Sequence, residues 1–207
     1  MRRAMCLLAA GLAILAAGPA AAEDLRVPER LQQAIPLERP DQALFNEAVL
    51  IFSNQVRRQH GRAPLRPDAR LTRAASDHAL NMARLRTHSH VLPVRGQRDL
   101  TQRMHRQSLE FRKAAENIAM DKVYRLLGRP ISMSSRGCSF VYGDTGEPVP
   151  PHTYASLARQ VVARWLASPK HRTSLLSASY ARLGAGIGVD PGGANCGDFY
   201  LVQDFAD

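Results

Sequence analysis

Apolar residues recur at helical spacing early in the chain, at Leu44, Phe45, Ala48, Val49, Ile51, Phe52 and Val56. A stripe with that period is one face of an amphipathic helix packed on a core. Asp41 stands before it in a capping position and Gly61 ends the pattern. A second helix is expected from about Asp68 to Leu85, with Leu71, Ala74, Ala75, Ala79 and Met82 on its apolar side. Residues 91 to 113 are polar and basic, with helical character centred on Leu100 to Phe111 and no role assigned to them. Another amphipathic stretch runs from Tyr154 to Ala167 through Leu157, Val161, Val162, Trp165 and Leu166. Leu183 to Val189 and Phe199 to Phe205 read as two strands around the turn Pro191-Gly192-Gly193. The stretch from 120 to 151 holds Gly128, Pro130, Gly143, Gly146, Pro148, Pro150 and Pro151, and reads as a long loop or short hairpin insertion. Helices around a small sheet make the expected fold class α+β.

The N-terminus changes the picture of where the protein works. Arg2 and Arg3, the apolar run Ala4 to Ala17 and the small residues Ala20-Ala21-Ala22 form a secretory signal, with cleavage expected after Ala22. That run is too short for a spanning helix, which needs roughly 20 apolar residues, and no later stretch is apolar enough to cross a bilayer. Residues 23 to 40, with Pro28, Pro36 and Pro40, read as a leader, and 41 to 207 as one domain. The expected location is the periplasm or the outside of the cell. Cys138 and Cys196 remain after cleavage, and in an oxidising compartment a disulfide is the default, two buried free thiols the alternative. Such a bond would staple the insertion to the loop between the two strands.

The net charge of +10 falls to +8 when Arg2 and Arg3 leave, and nearly all the basic residues are arginine. A balance of this kind favours anionic partners such as an envelope surface; a generically basic exported protein reads the same way. Aromatics make up 6% of the residues and form no stacking ladder, so nucleic acid is not an expected partner.

Five ordered blocks then carry a family likeness. They are Asn54-Gln55-Val56-Arg57 with His60-Gly61-Arg62-Ala63-Pro64-Leu65; the helix Leu71 to Met82 followed by Ser89-His90; Glu116-Asn117-Ile118-Ala119; Trp165 to Arg172 with Leu175-Leu176; and Gly184-Ala185-Gly186-Ile187-Gly188 through Tyr200 to Phe205. Over residues 41 to 207 the chain resembles the CAP superfamily of cysteine-rich secretory, antigen 5 and pathogenesis-related proteins, in its bacterial SCP-like form. The resemblance implies a three-layer α-β-α sandwich with a small central sheet and a cleft beside it. It also implies ligands of sterol, fatty-acid or peptide type. In relatives the cleft carries two histidines and two glutamates; His90 and His171 match the histidines, Glu116 matches the first glutamate, and Ser168 stands where the second is expected.

Two imidazoles and a carboxylate are a ligand set zinc accepts, which makes His90, His171 and Glu116 candidate metal ligands. The loss of one carboxylate at Ser168 weakens any site for a hard cation. The bland reading is that Glu116 takes hydrogen bonds from its neighbours and orders the cleft. Ser168, His171 and Glu116 also supply a nucleophile, a base and an orienting acid by residue type, a hydrolase reading directed at envelope peptides or peptidoglycan. Against it, Ser168 before Pro169 reads as a helix cap. Three further readings concern the cleft: His78 as a cleft or packing residue, His88 as an auxiliary ligand or a solvated side chain, and Asn117 as the amide that fixes the backbone around Glu116. Asn54 and Arg57 are expected to anchor loops, and Gly184, Gly186 and Gly188 to permit close strand packing.

Overall fold

The computed structural model describes residues 26–133 and 137–207. The expected signal peptide, its cleavage site, the first residues of the leader and Ser134 to Arg136 of the insertion lie outside the described residues. Asp41 Oδ1 accepts from the amides of Ala43 and Leu44 at 2.8 and 3.1 Å and starts α1 (Gln42–Gln59). Asp68 Oδ1 does the same at the head of α2 (Ala69–Leu85), accepting from Arg70 at 2.8 Å. After α3 (Leu100–Arg106) the chain departs from the expectation that helix persists to Phe111. Ser108 takes a left-handed backbone, φ 54°, which ends the helix there.

The main sheet has the order β1-β5-β6-β2 and contains β1 (Arg66–Pro67), β2 (Ala114–Lys122), β5 (Arg182–Asp190) and β6 (Asp198–Ala206). β1 runs parallel to β5 and the other pairs are antiparallel, so β2 is an edge strand. The sequence predicts two of these strands, β5 and β6; β1 and β2 are additions, and the insertion accordingly starts after Lys122 rather than at Met120. β2 escapes a pattern search because it carries polar side chains on both faces, Glu116 on one and Asn117 on the other. Its unpaired edge is covered from α4 (Tyr154–Ala167): Trp165 Nε1 donates to Ile118 O at 3.3 Å and Arg164 Nη1 to Met120 O at 2.8 Å.

Three layers result. α2 and α3 cover one face of the sheet; α1, α4 and α5 (Pro169–Leu176) cover the other, where Phe45, Val49, Trp165, Leu183 and Phe205 are all buried. The α2 side is unusually close. A Cβ at Gly184, Gly186 or Gly188 would lie 2.1, 2.3 or 2.2 Å from backbone atoms of Thr72, Ser76 or Ala79. Two residues of strand rise about 6.6 Å and four of helix about 6 Å, so alternate glycines of β5 keep step with successive turns of α2. The insertion forms a hairpin of β3 (Ile131–Met133) and β4 (Phe140–Tyr142), and the Cys138–Cys196 disulfide ties it to the β5–β6 connection. Closing a loop of 58 residues contributes about 4 kcal/mol in the chain-entropy view.

Candidate functional site

The chemistry gathers at the free edge of β2 and on the sheet face below α2. Residue 116 pairs with 204 across β2 and β6, so the Glu116 and Asp204 side chains lie side by side on that face. Glu116 is 3% exposed and has three basic neighbours. Arg103 Nη2, from α3, donates to Oε2 at 2.6 Å; His90 Nδ1, from the loop after α2, meets Oε1 at 2.7 Å; His78 Nε2, from α2, stands 3.7 Å from Oε2. Burial alone would raise the Glu116 pKa. The His90 hydrogen bond and the Arg103 guanidinium outweigh it and hold the carboxyl below its ordinary value.

Asp204 is the counterpart. It is fully buried, neither carboxyl oxygen has a hydrogen-bond partner, and burial together with the negative charge of Glu116 pushes its pKa well above the carboxylate range. Burial and the neighbouring anion both disfavour the charged form of this carboxyl. His78 is also fully buried with both ring nitrogens unpartnered, and burial lowers its pKa to about 4, which leaves it neutral at pH 7. The face thus holds the Glu116 carboxylate on the Arg103 guanidinium, with a carboxyl whose charged form is disfavoured and a neutral imidazole beside them.

The next residues along the two strands face the other way. Asn117 Nδ2 donates to Gln203 Oε1 and to the backbone oxygen of His171, each at 3.2 Å, and Gln203 Nε2 donates to Ser53 Oγ on α1 at 2.8 Å. Asn117 does fix backbone, but that of α5 rather than that around Glu116. His171 therefore approaches from the α4–α5 side, whereas His90 and Glu116 approach from the α2 side, around the β2 edge. Burial and the charges of His90 and Arg164 lower the His171 pKa; burial, His90, Arg164 and His171 do the same to exposed His88. Three imidazoles and Arg164 share one electrostatic neighbourhood at the protein surface.

Of the residues expected from sequence, the fold brings His78, His90 and Glu116 into contact. It joins neither His171 to Glu116 nor Ser168 to His171 by a hydrogen bond. Ser168 holds the N-cap position of α5 with Pro169 behind it, yet its side chain makes no capping bond, a departure from the expected cap. Its backbone instead closes α4, donating to Arg164 O at 3.1 Å, and accepts from Arg172 N at 2.8 Å. For a metal the fit is poor. Among the described residues no three His, Cys, Asp or Glu side chains are grouped to hold an ion, and both Glu116 oxygens are engaged, one by a guanidinium. Asn54 and Arg57 do anchor loops: Asn54 exchanges two bonds with Leu65, and Arg57 donates to the carbonyls of Ala63, Leu175 and Ser177.

Arg103 and Asp204 are the site residues that sequence reasoning missed. Arg103 sits in the polar, basic segment with helical character to which no role was assigned, and Asp204 was visible only as part of the closing block. A basic residue among apolar Leu100 and Met104 on a short helix was the available signal.

The family model described as the cysteine-rich secretory protein family, CAP, matches residues 50–205. Among solved structures, an extracellular protein containing an SCP domain from Bacillus anthracis is similar with a TM-score of 0.54 and 20% identity over 78% of this chain. This chain spans only 40% of the length of that protein. An outer surface protein from Borrelia burgdorferi is similar with a TM-score of 0.53 and 17% identity, over 80% of this chain and 95% of the Borrelia chain. No curated protein matches the sequence significantly.

Proposed function

The chain belongs to the cysteine-rich secretory protein (CAP) family, and from that premise we infer that it works outside the cytoplasm as a ligand-binding domain whose binding edge is the His90–Glu116 pair with His171 and His88 beside it. The observation that carries this reading is the geometry of the pair. A buried carboxylate, itself clamped by Arg103, takes Nδ1 of a half-exposed imidazole and leaves Nε2 without a partner among the described residues. Such a carboxylate fixes ring orientation and tautomer, so the outer nitrogen is presented as a hydrogen-bonding group of defined direction. Export is supported by the Cys138–Cys196 bond, since disulfides persist in oxidising compartments, and by the extracellular and outer-surface character of the two similar proteins. Among the described residues no helix is long and apolar enough to cross a membrane.

Zinc would find two imidazoles, His90 and His171, and no free carboxylate, so the site is read as binding an organic ligand. NMR of the histidine ring signals tests the assignment: a ligand added to the mature protein shifts His90 and His171 and leaves buried His78 in place. Loss of those shifts in Glu116→Gln with the fold intact supports the reading, and shifts that survive it overturn it.

The same pair gives the hydrolase alternative its one support, because an imidazole oriented by a carboxylate is the base half of a catalytic set. Among the described residues no serine hydrogen-bonds the His90 ring. Ser168 has no bond to His171, and Ser156, 2.9 Å from His152 Nδ1, is spent on the capping box of α4. Turnover of a peptide or ester panel that disappears in His90→Gln would establish it through an attacking water; an inactive panel removes it.

A further inference from the structure

A groove of 660 Å³ runs beside the site along the outer stripe of α4, bounded by Gln32 and by Arg125 and Leu127 of the insertion. Its size is that of ordinary ligand pockets, roughly 300 to 1,000 Å³. The floor reaches from Ala155 to Ala167, about 18 Å at helical rise, which is the length of an extended peptide of about five residues. At its far end Ala167 closes α4 four residues before His171 on α5, and Arg164 Nη1 reaches the β2 edge at Met120 O, 2.8 Å away. The groove therefore opens toward the histidine edge.

Its lining selects a chemistry. Among the described residues neither Arg125 nor Arg159 has a carboxylate partner; Arg159 lies over the Phe52 ring with its guanidinium carbon 5.1 Å from the centroid. Arg164 bonds Asp121 Oδ2 and Met120 O through Nη1 alone, so its other nitrogens take no protein acceptor. Gln160 gives its amide to Asp121 Oδ2 at 2.7 Å and keeps its carbonyl oxygen for another donor. Between these polar groups the surface is methyl-lined, by Ala163, Ala167 and Leu127, which is 52% exposed. Guanidinium groups want carboxylates, and the free amide oxygen wants an N–H that an alkyl chain lacks.

We propose that this groove binds an acidic peptide with small side chains, extended along α4 with its carboxylates on Arg125, Arg159 and Arg164 and one end reaching the His90–His171 edge. The proposal rests on the binding function inferred above and names its ligand class. A dominantly apolar ligand would leave the arginines and Gln160 unsatisfied, and a flat anionic surface could not follow the groove floor.

The probe is the blocked peptide acetyl-Ala-Glu-Ala-Glu-Ala-amide, titrated into mature protein by calorimetry and by amide NMR. Binding is expected, with shifts at Ala163 and Ala167, weakening as salt rises, and falling at least tenfold for the glutamine version of the peptide. The double variant Arg125→Gln/Arg159→Gln should lose at least tenfold while its melting curve and core amide signals stay put. Unchanged affinity in that variant, or no binding of the acidic peptide at all, overturns the proposal. Arginine-dependent binding only to phosphatidylglycerol vesicles also overturns it, in favour of a membrane surface. His90→Gln separates the two readings: affinity that depends on the arginines and not on His90 keeps the groove and sinks the histidine edge, and the converse does the reverse.

Discussion

Two neighbouring pairs on the same two strands have opposite characters. Asn117 and Gln203 face α1 and α5, are buried, and pass their hydrogen bonds to Ser53 and to the backbone of His171. Glu116 and Asp204, one residue along, face α2 and α3; there the anion sits on Arg103 while Asp204 and His78 keep four buried polar atoms without partners. Buried polar groups are normally satisfied, and each unsatisfied one costs about 1–3 kcal/mol. A satisfied amide pair serves as structural cement. On the other face a satisfied ion pair stands beside a carboxyl and an imidazole whose polar atoms have no partner, at the foot of a half-exposed histidine.

The largest break in that contrast should come from Arg103→Met, which strands Glu116 as a buried anion. About 3–5 kcal/mol of stability is expected to disappear in urea unfolding, and Arg103→Met/Glu116→Gln should recover much of it. Equal losses in the single and double variants would show that the pair does not act as one unit.

Asp204→Asn sharpens the comparison through pH. Because the folded pKa of Asp204 is raised, its contribution is complete below the unfolded value near 4 and is lost as pH rises toward the folded value. The asparagine variant should match wild type near pH 4 and become the more stable protein above it, the gap widening by at most about 1.4 kcal/mol per pH unit. A gap that is flat with pH would mean that Asp204 is ionised in the folded state. His78 works in the opposite sense: its folded pKa of about 4 lies below the ordinary 6.5, so stability present above pH 6.5 drains away as pH falls toward 4. Its ring signals should accordingly resist titration through neutral pH.

On the amide side, Gln203→Ala removes bonds to Asn117 and Ser53 and should cost about 1–3 kcal/mol with no change in pH dependence. The smallest effect belongs to Ser168→Ala. Its side chain caps nothing, so stability should stay within about 0.5 kcal/mol; a loss above about 1 kcal/mol would restore the capping role.

The helices were legible because their chemistry is local. The α1 stripe, the Asp41 and Asp68 caps and the Trp165 segment carry a 3.6-residue period that burial against a sheet enforces, and the three alternate glycines of β5 announce a close approach. Edge strand β2 was not legible as a strand, since polar residues on both faces erase the alternation on which strand recognition depends. The site was readable by residue, in His90, Glu116 and His171, but not by arrangement.

Sequence alone determined the fold class, the cysteine pair and the identity of the ionisable groups, since periodicity, composition and motif order are properties of the chain itself. Tertiary structure decided which of those groups meet. Register across β2 and β6 put Asp204 beside Glu116, α3 delivered Arg103 to the same carboxylate, and the sheet edge kept His171 on the other side. Charge states followed from that placement, because burial and neighbouring charge are set by contacts between residues far apart in the chain.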